Sequence, residues 1–337
     1  MEETNKGILL YRIICRCSAI VLVAMFAFVW FHLAIAQQPA KVPRIGYIAP
    51  TGPENTNYAA FLRGLRDLGY IEGKNILIEY RSMEGNRDRI PSVMAELVQL
   101  QVDILVSPNA PTILAAKQAT RTIAIVMVTN TDPVASGLVD SLAHPGGNIT
   151  GITRLTRDLS GKRLEVLKEV VPGISRVGVL EDADATVRAF KDYDAAGRAL
   201  KIQLQSLEVR GPNPDLEGAF QAAVKGRVRA LIATQTTVLV PYPKKIADLA
   251  IKHRLPLMNE SSRAVEAGGL LSYSSNEPEN FKRAAYYVDR ILKGAKPAEL
   301  PVEQPTKFEF VINLKTAKTL GLTIPPLVLT RATKVIK

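Results

Sequence analysis

Side chains that could bind a small molecule cluster directly after the short apolar runs of this sequence. They supply hydroxyl, amide and carboxylate groups, together with backbone N–H groups where a helix follows. We predict that they bind a ligand, and the candidate positions are Ala49, Pro50, Asn109, Ala110, Pro111, Thr112, Asn130, Thr131, Asp132, Asp182, Thr234, Gln235, Asn259 and Tyr273.

The segment Asn109–Thr112 is the strongest candidate, because a predicted helix begins there and a helix start favours a carboxylate. Asp132 or Asp182 could then meet a cationic group of such a ligand. An alternative stays open, since Asn, Asp, Ser and Thr also cap helices without touching any ligand. Asp132-Pro133 is, in addition, a common turn sequence.

Catalytic signatures are missing from the sequence. It contains no GxGxxG after a strand, no GxxxxGK[ST], no HExxH and no GxSxG. His144 lies in a glycine-flanked loop and His253 ends a predicted helix, so neither has an evident catalytic partner. We predict a protein that is not an enzyme and that uses no metal and no other cofactor.

The elements that must position these residues alternate between strand and helix. Apolar runs such as Arg44–Ala49 and Ile125–Thr129 predict buried strands, and amphipathic segments such as Asn57–Leu68 predict helices. The rhythm restarts after a glycine-rich break at Gly146–Arg157, and Pro325-Pro326 predicts a loose end. The pattern predicts an α/β protein with two Rossmann-like lobes, each a parallel sheet flanked by helices. Ligands of such sheets bind beyond the carboxyl ends of the strands.

The first 36 residues resemble a secretory leader. Lys6, Arg12 and Arg16 precede an uncharged stretch, Ser18–Ala36, which ends in small residues suited to cleavage after about Ala36. An uncleaved membrane anchor is the alternative, because the apolar run is long enough to span a bilayer. Both cysteines lie inside this leader, so the exported part can form neither a disulfide nor a thiolate metal site.

The chain is basic, with a formal net charge of +11. Without the leader it keeps 40 Lys and Arg against 30 Asp and Glu. These basic residues are scattered along predicted helices rather than clustered, which indicates a solvated surface and argues against a nucleic-acid partner.

Several stretches resemble the bacterial ABC transporter substrate-binding family, whose members include tryptophan- and phenylalanine-binding lipoproteins. The matching segments are 44–50 (RIGYIAP), 61–81, 115–120, 132–151 (DPVASGLVDSLAHPGGNITG), 267–276 and 286–322. The resemblance implies a type I periplasmic-binding-protein fold with a three-segment hinge. It places the first lobe at 41–153 plus 276–305 and the second lobe at 154–275 plus 306–337.

The same resemblance implies a function. It suggests an extracytoplasmic, periplasmic and monomeric protein that captures a small molecule, such as an amino acid or related carboxylate, for an inner-membrane permease. A ligand-sensing subunit that partners a membrane sensor is the alternative. Two segments, Ser107–Ala110 and Ser272–Ser274, depart from the glycine-rich turn and the SYG of many relatives, so the ligand need not be aromatic.

Overall fold

The computed structural model describes residues 41–54, 56–154, 159–185 and 189–337. The predicted leader, residues 1–36, lies outside these ranges. Residues Pro43–Lys337 form one compact unit. Within the described residues, no helix combines the length and the apolar character needed to cross a membrane.

A five-stranded parallel sheet forms the centre of what we call the first lobe, with strand order β2-β1-β3-β4-β5. Ile45 pairs with Ile104 and Val106 with Val126, so β1, β3 and β4 present buried apolar residues in register. The strands are β1 Arg44–Ala49, β2 Leu77–Ser82, β3 Ile104–Ser107, β4 Ala124–Thr129 and β5 Ile149–Thr153, and the helices between them are α1 Thr56–Asp67, α2 Ile90–Gln99 and α3 Ala110–Ala119.

A seven-stranded sheet forms the centre of the second lobe, in the order β12-β11-β10-β9-β8-β6-β7. All its neighbours are parallel except β11, which runs antiparallel to β10. The strands are β6 Arg176–Asp182, β7 Gln203–Val209, β8 Ala230–Ala233, β9 Leu257–Asn259, β10 Leu271–Ser275, β11 Phe308–Asn313 and β12 Lys334–Ile336. The helices are α4 Ser160–Val170, α5 Ala189–Leu200, α6 Leu216–Lys225, α7 Pro243–Lys252, α8 Ser262–Glu266, α10 Leu314–Thr319 and α11 Pro326–Leu329.

Helix α9, Glu277–Leu292, belongs to the first lobe although it follows β10 of the second. Its buried face, which includes Phe281 and Val288, joins the core on one side of the first sheet. Asn276 caps it by accepting a hydrogen bond from the Glu279 N–H at 2.9 Å. The chain therefore leaves the second lobe at Asn276 and returns to it at β11.

The crossing segments are hydrogen-bonded to one another. Thr153 N–H donates to the Glu303 carbonyl, and Glu303 N–H donates to the Gly151 carbonyl, both at 2.9 Å. The Asn276 side chain donates to Glu309 at 2.6 Å. The predicted fold of two lobes with mostly parallel sheets is confirmed. The exact lobe boundaries stay a prediction. Each strand nevertheless belongs to the sheet of the lobe in which those boundaries place it.

Each sheet is covered by helices on both faces, and each face holds an apolar cluster. In the first lobe, Tyr47 and Phe61 lie in one cluster and Met94 and Leu97 in the other. The second lobe repeats this arrangement with its own two clusters. Burial on both faces explains why inner strands such as β1 and β4 are continuous apolar runs in the sequence.

Two local predictions were wrong. The glycine-rich break at Gly146–Arg157 contains a buried strand, β5, because Gly151 lets its backbone approach β4 closely. Gly151 has φ +133°, and a Cβ atom there would lie 2.2 Å from the Met127 carbonyl oxygen. The end after Pro325 is not loose. Proline at the first helical position starts α11, and Val328 is buried in the second-lobe core.

Candidate functional site

The carboxyl ends of the strands in the two lobes face each other across a cleft. One cavity of this cleft has an empty volume of about 900 Å³, counting space open to solvent. Tyr47 and Phe281 form a wall from the first lobe, and Leu239, Val240 and Ile246 form a wall from the second. The cavity thus combines apolar residues of both lobes with polar ones such as Asn109 and Thr234.

Two buried charges line the same cavity, at the crossing segments. Arg154 follows β5 and Glu277 begins α9, and their side chains are 6% and 8% exposed, with 3.8 Å between Arg154 Nη1 and Glu277 Oε2. The Gln235 carboxamide joins them, accepting from Arg154 at 3.2 Å and donating to Glu277 at 2.8 Å. Asn57 donates to the other Glu277 oxygen at 3.1 Å. The group therefore contains one cation, one anion and two amides.

A second carboxylate, Glu260, follows β9 and lines the same cavity. Its Oε2 accepts from the Gln235 N–H at 2.8 Å. Its Oε1 accepts from the Tyr193 hydroxyl at 2.7 Å and from Arg163 Nη1 at 3.3 Å. Arg163 and Tyr193 are almost completely buried. Two side chains inside the second lobe therefore fix the orientation of a carboxylate at the cleft.

A further cavity of about 1130 Å³, again counting open space, lies in the same cleft. Asn130, Gln235 and Glu260 line both cavities. Between the lobes, the Asn130 amide donates to the Gln235 carbonyl at 3.0 Å. Arg87 of the first lobe pairs with Asp182 of the second at 2.8 Å. Direct contacts therefore join the lobes at Gln235 and at Asp182.

Burial shifts the ionisation of several of these groups. It lowers the pKa of the Arg154 guanidinium, and the carboxylates of Glu277 and Glu260 oppose that shift. Burial raises the pKa of Asp182 above that of a free aspartate, although Arg87 opposes this. It also raises the pKa values of Tyr58 and Tyr80, which pack around Tyr47, to about 12.

Most of the predicted site residues line the cleft cavities. The structure brings together Pro50, Asn109, Ala110, Pro111, Asn130, Thr131, Asp182, Thr234, Gln235 and Asn259. Their contact with a ligand stays a prediction. Asn109 also caps α3, because its side chain accepts from the Thr112 N–H at 3.2 Å.

Four predicted residues line neither cavity, and each has a structural role instead. Ala49 is buried inside the first-lobe core. Thr112 bonds to Ser107 and Asn109 beneath the start of α3. Asp132 is exposed, and its carboxylate accepts from the N–H groups of Val134 and Ala135. Tyr273 packs against Phe308 and Phe310, and its carbonyl accepts from Arg163.

Apart from Asp182, sequence reasoning did not select the charged residues of the cleft. Arg154 and Glu277 lie at crossing segments rather than at an obvious strand end, so their meeting depends on the fold. Arg163 looks like one of many basic residues on an amphipathic helix, and only its complete burial reveals it. Glu260 follows a predicted strand directly, and its position beside Asn259 was an available signal. Among the described residues, no group of three or more His, Cys, Asp or Glu is placed to hold a metal ion.

Comparisons with known proteins agree with this architecture. A family model described as ABC transporter substrate binding protein matches residues 54–336. A tyrosine-binding protein of Clostridioides difficile (strain R20291) is 25% identical over 264 residues, covering 78% of this chain and 75% of that protein.

Solved structures give the same picture. A conserved domain protein from Vibrio cholerae has a TM-score of 0.80 at 27% identity, covering 88% of this chain and 100% of its own. A domain from Streptococcus pneumoniae in complex with L-Trp has a TM-score of 0.79 at 24% identity, covering 87% and 99%. A ligand-free, open substrate-binding protein from Clostridium difficile has a TM-score of 0.62 at 22% identity, covering 88% and 99%.

The family match spans most of the sequence, and the fold agrees with that of solved binding proteins. Proteins of this family are extracytoplasmic small-molecule binders and not enzymes, so the prediction of a non-enzymatic protein is confirmed. The chain belongs to the family of ABC transporter substrate-binding proteins.

Proposed function

We propose that this protein captures an amino acid in the cleft between its lobes and presents it to an ABC permease. The single observation that carries the proposal is the buried pair of Arg154 and Glu277, joined by Gln235 inside the cavity. An amino acid carries a carboxylate and an ammonium group a few bonds apart. A site with one cation and one anion is complementary to it.

The Arg154 guanidinium is suited to the ligand carboxylate. It is almost completely buried, and its Nε has no hydrogen-bond partner among the residues that the structure describes. A guanidinium donates in a planar fork that matches a carboxylate. Because solvent is largely excluded here, such a bond is worth more than on the surface.

The apolar walls are suited to the ligand side chain. Tyr47 and Phe281 face Leu239, Val240 and Ile246 across the cavity. Such walls favour an apolar or aromatic side chain through burial of its surface. The relatives named above bind tyrosine and L-Trp, which supports an amino acid of this kind for this chain.

Contacts between the lobes support a hinge mechanism. A ligand that touches both lobes stabilises the closed arrangement by its differential affinity for it. The Asn130–Gln235 and Arg87–Asp182 contacts would add to closure.

The location and partner follow from the same proposal. We place the protein in the periplasm after removal of residues 1–36, as a monomer that delivers its ligand to an inner-membrane permease. The leader pattern of Lys6, Arg12 and Arg16 before Ser18–Ala36 supports export. N-terminal sequencing of the exported protein tests the cleavage, and co-purification with a permease tests the partner.

Calorimetric titration with each of the twenty L-amino acids tests the main proposal. We expect at least one to bind with a Kd in the micromolar range, about 8 kcal/mol of binding free energy. Arg154→Gln should abolish this binding, whereas Arg283→Gln, on the exposed face of α9, should not. Binding of none of the twenty, or unchanged binding by Arg154→Gln, would contradict the proposal.

A further inference from the structure

Glu260 differs from the other carboxylate of the first cavity in how its two oxygens are used. In Glu277, Oε1 accepts from Gln235 and Oε2 accepts from Asn57, and Arg154 Nη1 lies 3.8 Å from Oε2. In Glu260, Oε1 is directed into the second lobe and Oε2 is directed at the Gln235 N–H. A carboxylate oxygen can accept two hydrogen bonds, so Oε2 can accept from a ligand while keeping the Gln235 contact.

Burial of the supporting groups is costly. The Arg163 side chain is 0% exposed and that of Glu260 is 6% exposed, so both charged groups have lost almost all of their contact with solvent. A buried ion pair of this kind is often no more stabilising than apolar residues of the same volume. Stability alone is therefore a weak reason for placing Arg163 and Tyr193 behind this carboxylate.

The geometry of the supporting groups restricts Glu260 to one orientation. Arg163 comes from α4 and Tyr193 from α5, and both donate to the same oxygen. Arg163 also donates from Nε to the Tyr273 carbonyl at 2.8 Å, which ties it to β10. Since β10 leads directly to the crossing at Asn276, the carboxylate is anchored to the hinge side of the second lobe.

We propose that Glu260 binds the cationic group of the ligand, and that Arg163 and Tyr193 are positioning residues that present its Oε2 to the cleft. This rests on the proposed amino-acid function and assigns the ammonium contact to Glu260 rather than to Glu277. Arg154 then serves the ligand carboxylate. Under this assignment the second lobe selects for the amino group, and ligands that lack it bind weakly.

The test compares the tightest-binding of the twenty L-amino acids with the matching acid that lacks the amino group. For L-tyrosine this acid is 3-(4-hydroxyphenyl)propionate. The variants are Glu260→Gln, Glu277→Gln and Tyr193→Phe. The control is Tyr287→Phe, because Tyr287 is equally buried but donates to the Pro301 carbonyl in the first lobe. Thermal unfolding of each variant is measured first.

Glu260→Gln should weaken amino-acid binding about 10-fold or more, the effect of losing a hydrogen bond between charged groups. Tyr193→Phe should weaken it about 3- to 10-fold, since one neutral donor is lost. Both should reduce the preference for the amino acid over the deaminated acid, which a purely structural defect would leave unchanged. Tyr287→Phe should change neither quantity.

An unchanged preference in Tyr193→Phe and Glu260→Gln, or a loss confined to Glu277→Gln, overturns the assignment while the proposed function stands. If Glu260→Gln does not fold, Tyr193→Phe decides, because it keeps the ion pair. If no amino acid binds the unmodified protein, the proposed function fails and the assignment falls with it.

Discussion

The two lobes build their faces of the cleft in different ways. In the cavity that holds Arg154 and Glu277, the first lobe presents aromatic rings and neutral amides, among them Tyr47, Asn109 and Asn130. The second lobe presents a carboxylate, Glu260, held by a charged residue from its own interior. Two further charges of the first cavity, Arg154 and Glu277, come from the crossing segments, and Arg263 of the second lobe also lines it. The difference indicates that the first lobe mainly shapes the cavity, whereas the second lobe and the hinge orient a charged ligand.

The largest expected effect concerns the buried arginine of the second lobe. Arg163→Met leaves Glu260 without its charged partner, and we expect a loss of about 3–5 kcal/mol in the free energy of unfolding. Denaturant unfolding measures it. The matched control is Arg283→Met, because the Arg283–Glu303 pair of the first lobe is about 40% exposed. That change should cost about 1 kcal/mol or less.

The double variant Arg163→Met with Glu260→Gln sharpens this prediction. Removing both charges should recover much of the lost stability, since the cost arises from an unpaired buried charge. Equal losses for Arg163→Met and Arg283→Met would show that the two lobes do not differ in this respect.

Helix packing gives the next effect. In α1, a Cβ atom on Gly64 would lie 2.7 Å from the Lys282 carbonyl oxygen of α9. Gly64→Ala should therefore destabilise the first lobe by about 1–3 kcal/mol despite the better helix propensity of alanine. In the second lobe, a Cβ atom on Gly161 of α4 would lie 3.7 Å from Ala196. Gly161→Ala should be neutral or slightly stabilising by up to about 0.5 kcal/mol. Chemical denaturation of both variants checks the contrast, and a loss in Gly161→Ala would contradict it.

The aromatic wall of the first lobe predicts an alkaline transition. The pKa values of Tyr58 and Tyr80 are raised to about 12 from the ordinary 10.0. Their stabilising contribution is therefore present below about pH 10 and is lost as the pH rises through about 12. Tyrosinate absorbance should show ionisation of these side chains near pH 12, and Tyr80→Phe should remove one of the two. Ionisation of both near pH 10 in the folded protein would contradict the packing.

A smaller effect is expected at the contact between the lobes. Burial raises the pKa of Asp182 above its unfolded value. As the pH falls from neutral toward about 3.9, the folded protein takes up this proton before the unfolded chain does. The unmodified protein should thus gain stability relative to Asp182→Asn over that range. Unfolding curves at several pH values measure the difference in the free energy of unfolding between the two proteins. A difference that shrinks as the pH falls would contradict the raised pKa of Asp182.

The sequence predicted the fold because both sheets are buried on both faces, which produces unbroken apolar strands such as Arg44–Ala49. It failed at Ile149–Thr153, where glycine reflects a close backbone approach rather than a linker. Strand ends located the cleft, and ten of the fourteen candidate positions line its cavities. The charged groups could not be found in this way. The partners of Arg154, Glu277 and Arg163 are distant in the sequence, so only the folded structure brings them together.

Binding of one amino acid to both lobes at once is the central claim, and the distance between the lobes tests it most directly. Exposed Val134 of the first lobe and Val224 of the second can be replaced by cysteine and spin-labelled after Cys15→Ser and Cys17→Ser. Pulsed electron paramagnetic resonance measures the distribution of distances between the two labels. Saturation with the tightest-binding amino acid should give a single distribution that is shorter and narrower than that of the ligand-free protein. Arg154→Gln should prevent this change. Calorimetric binding without any change in the distance distribution would contradict the claim.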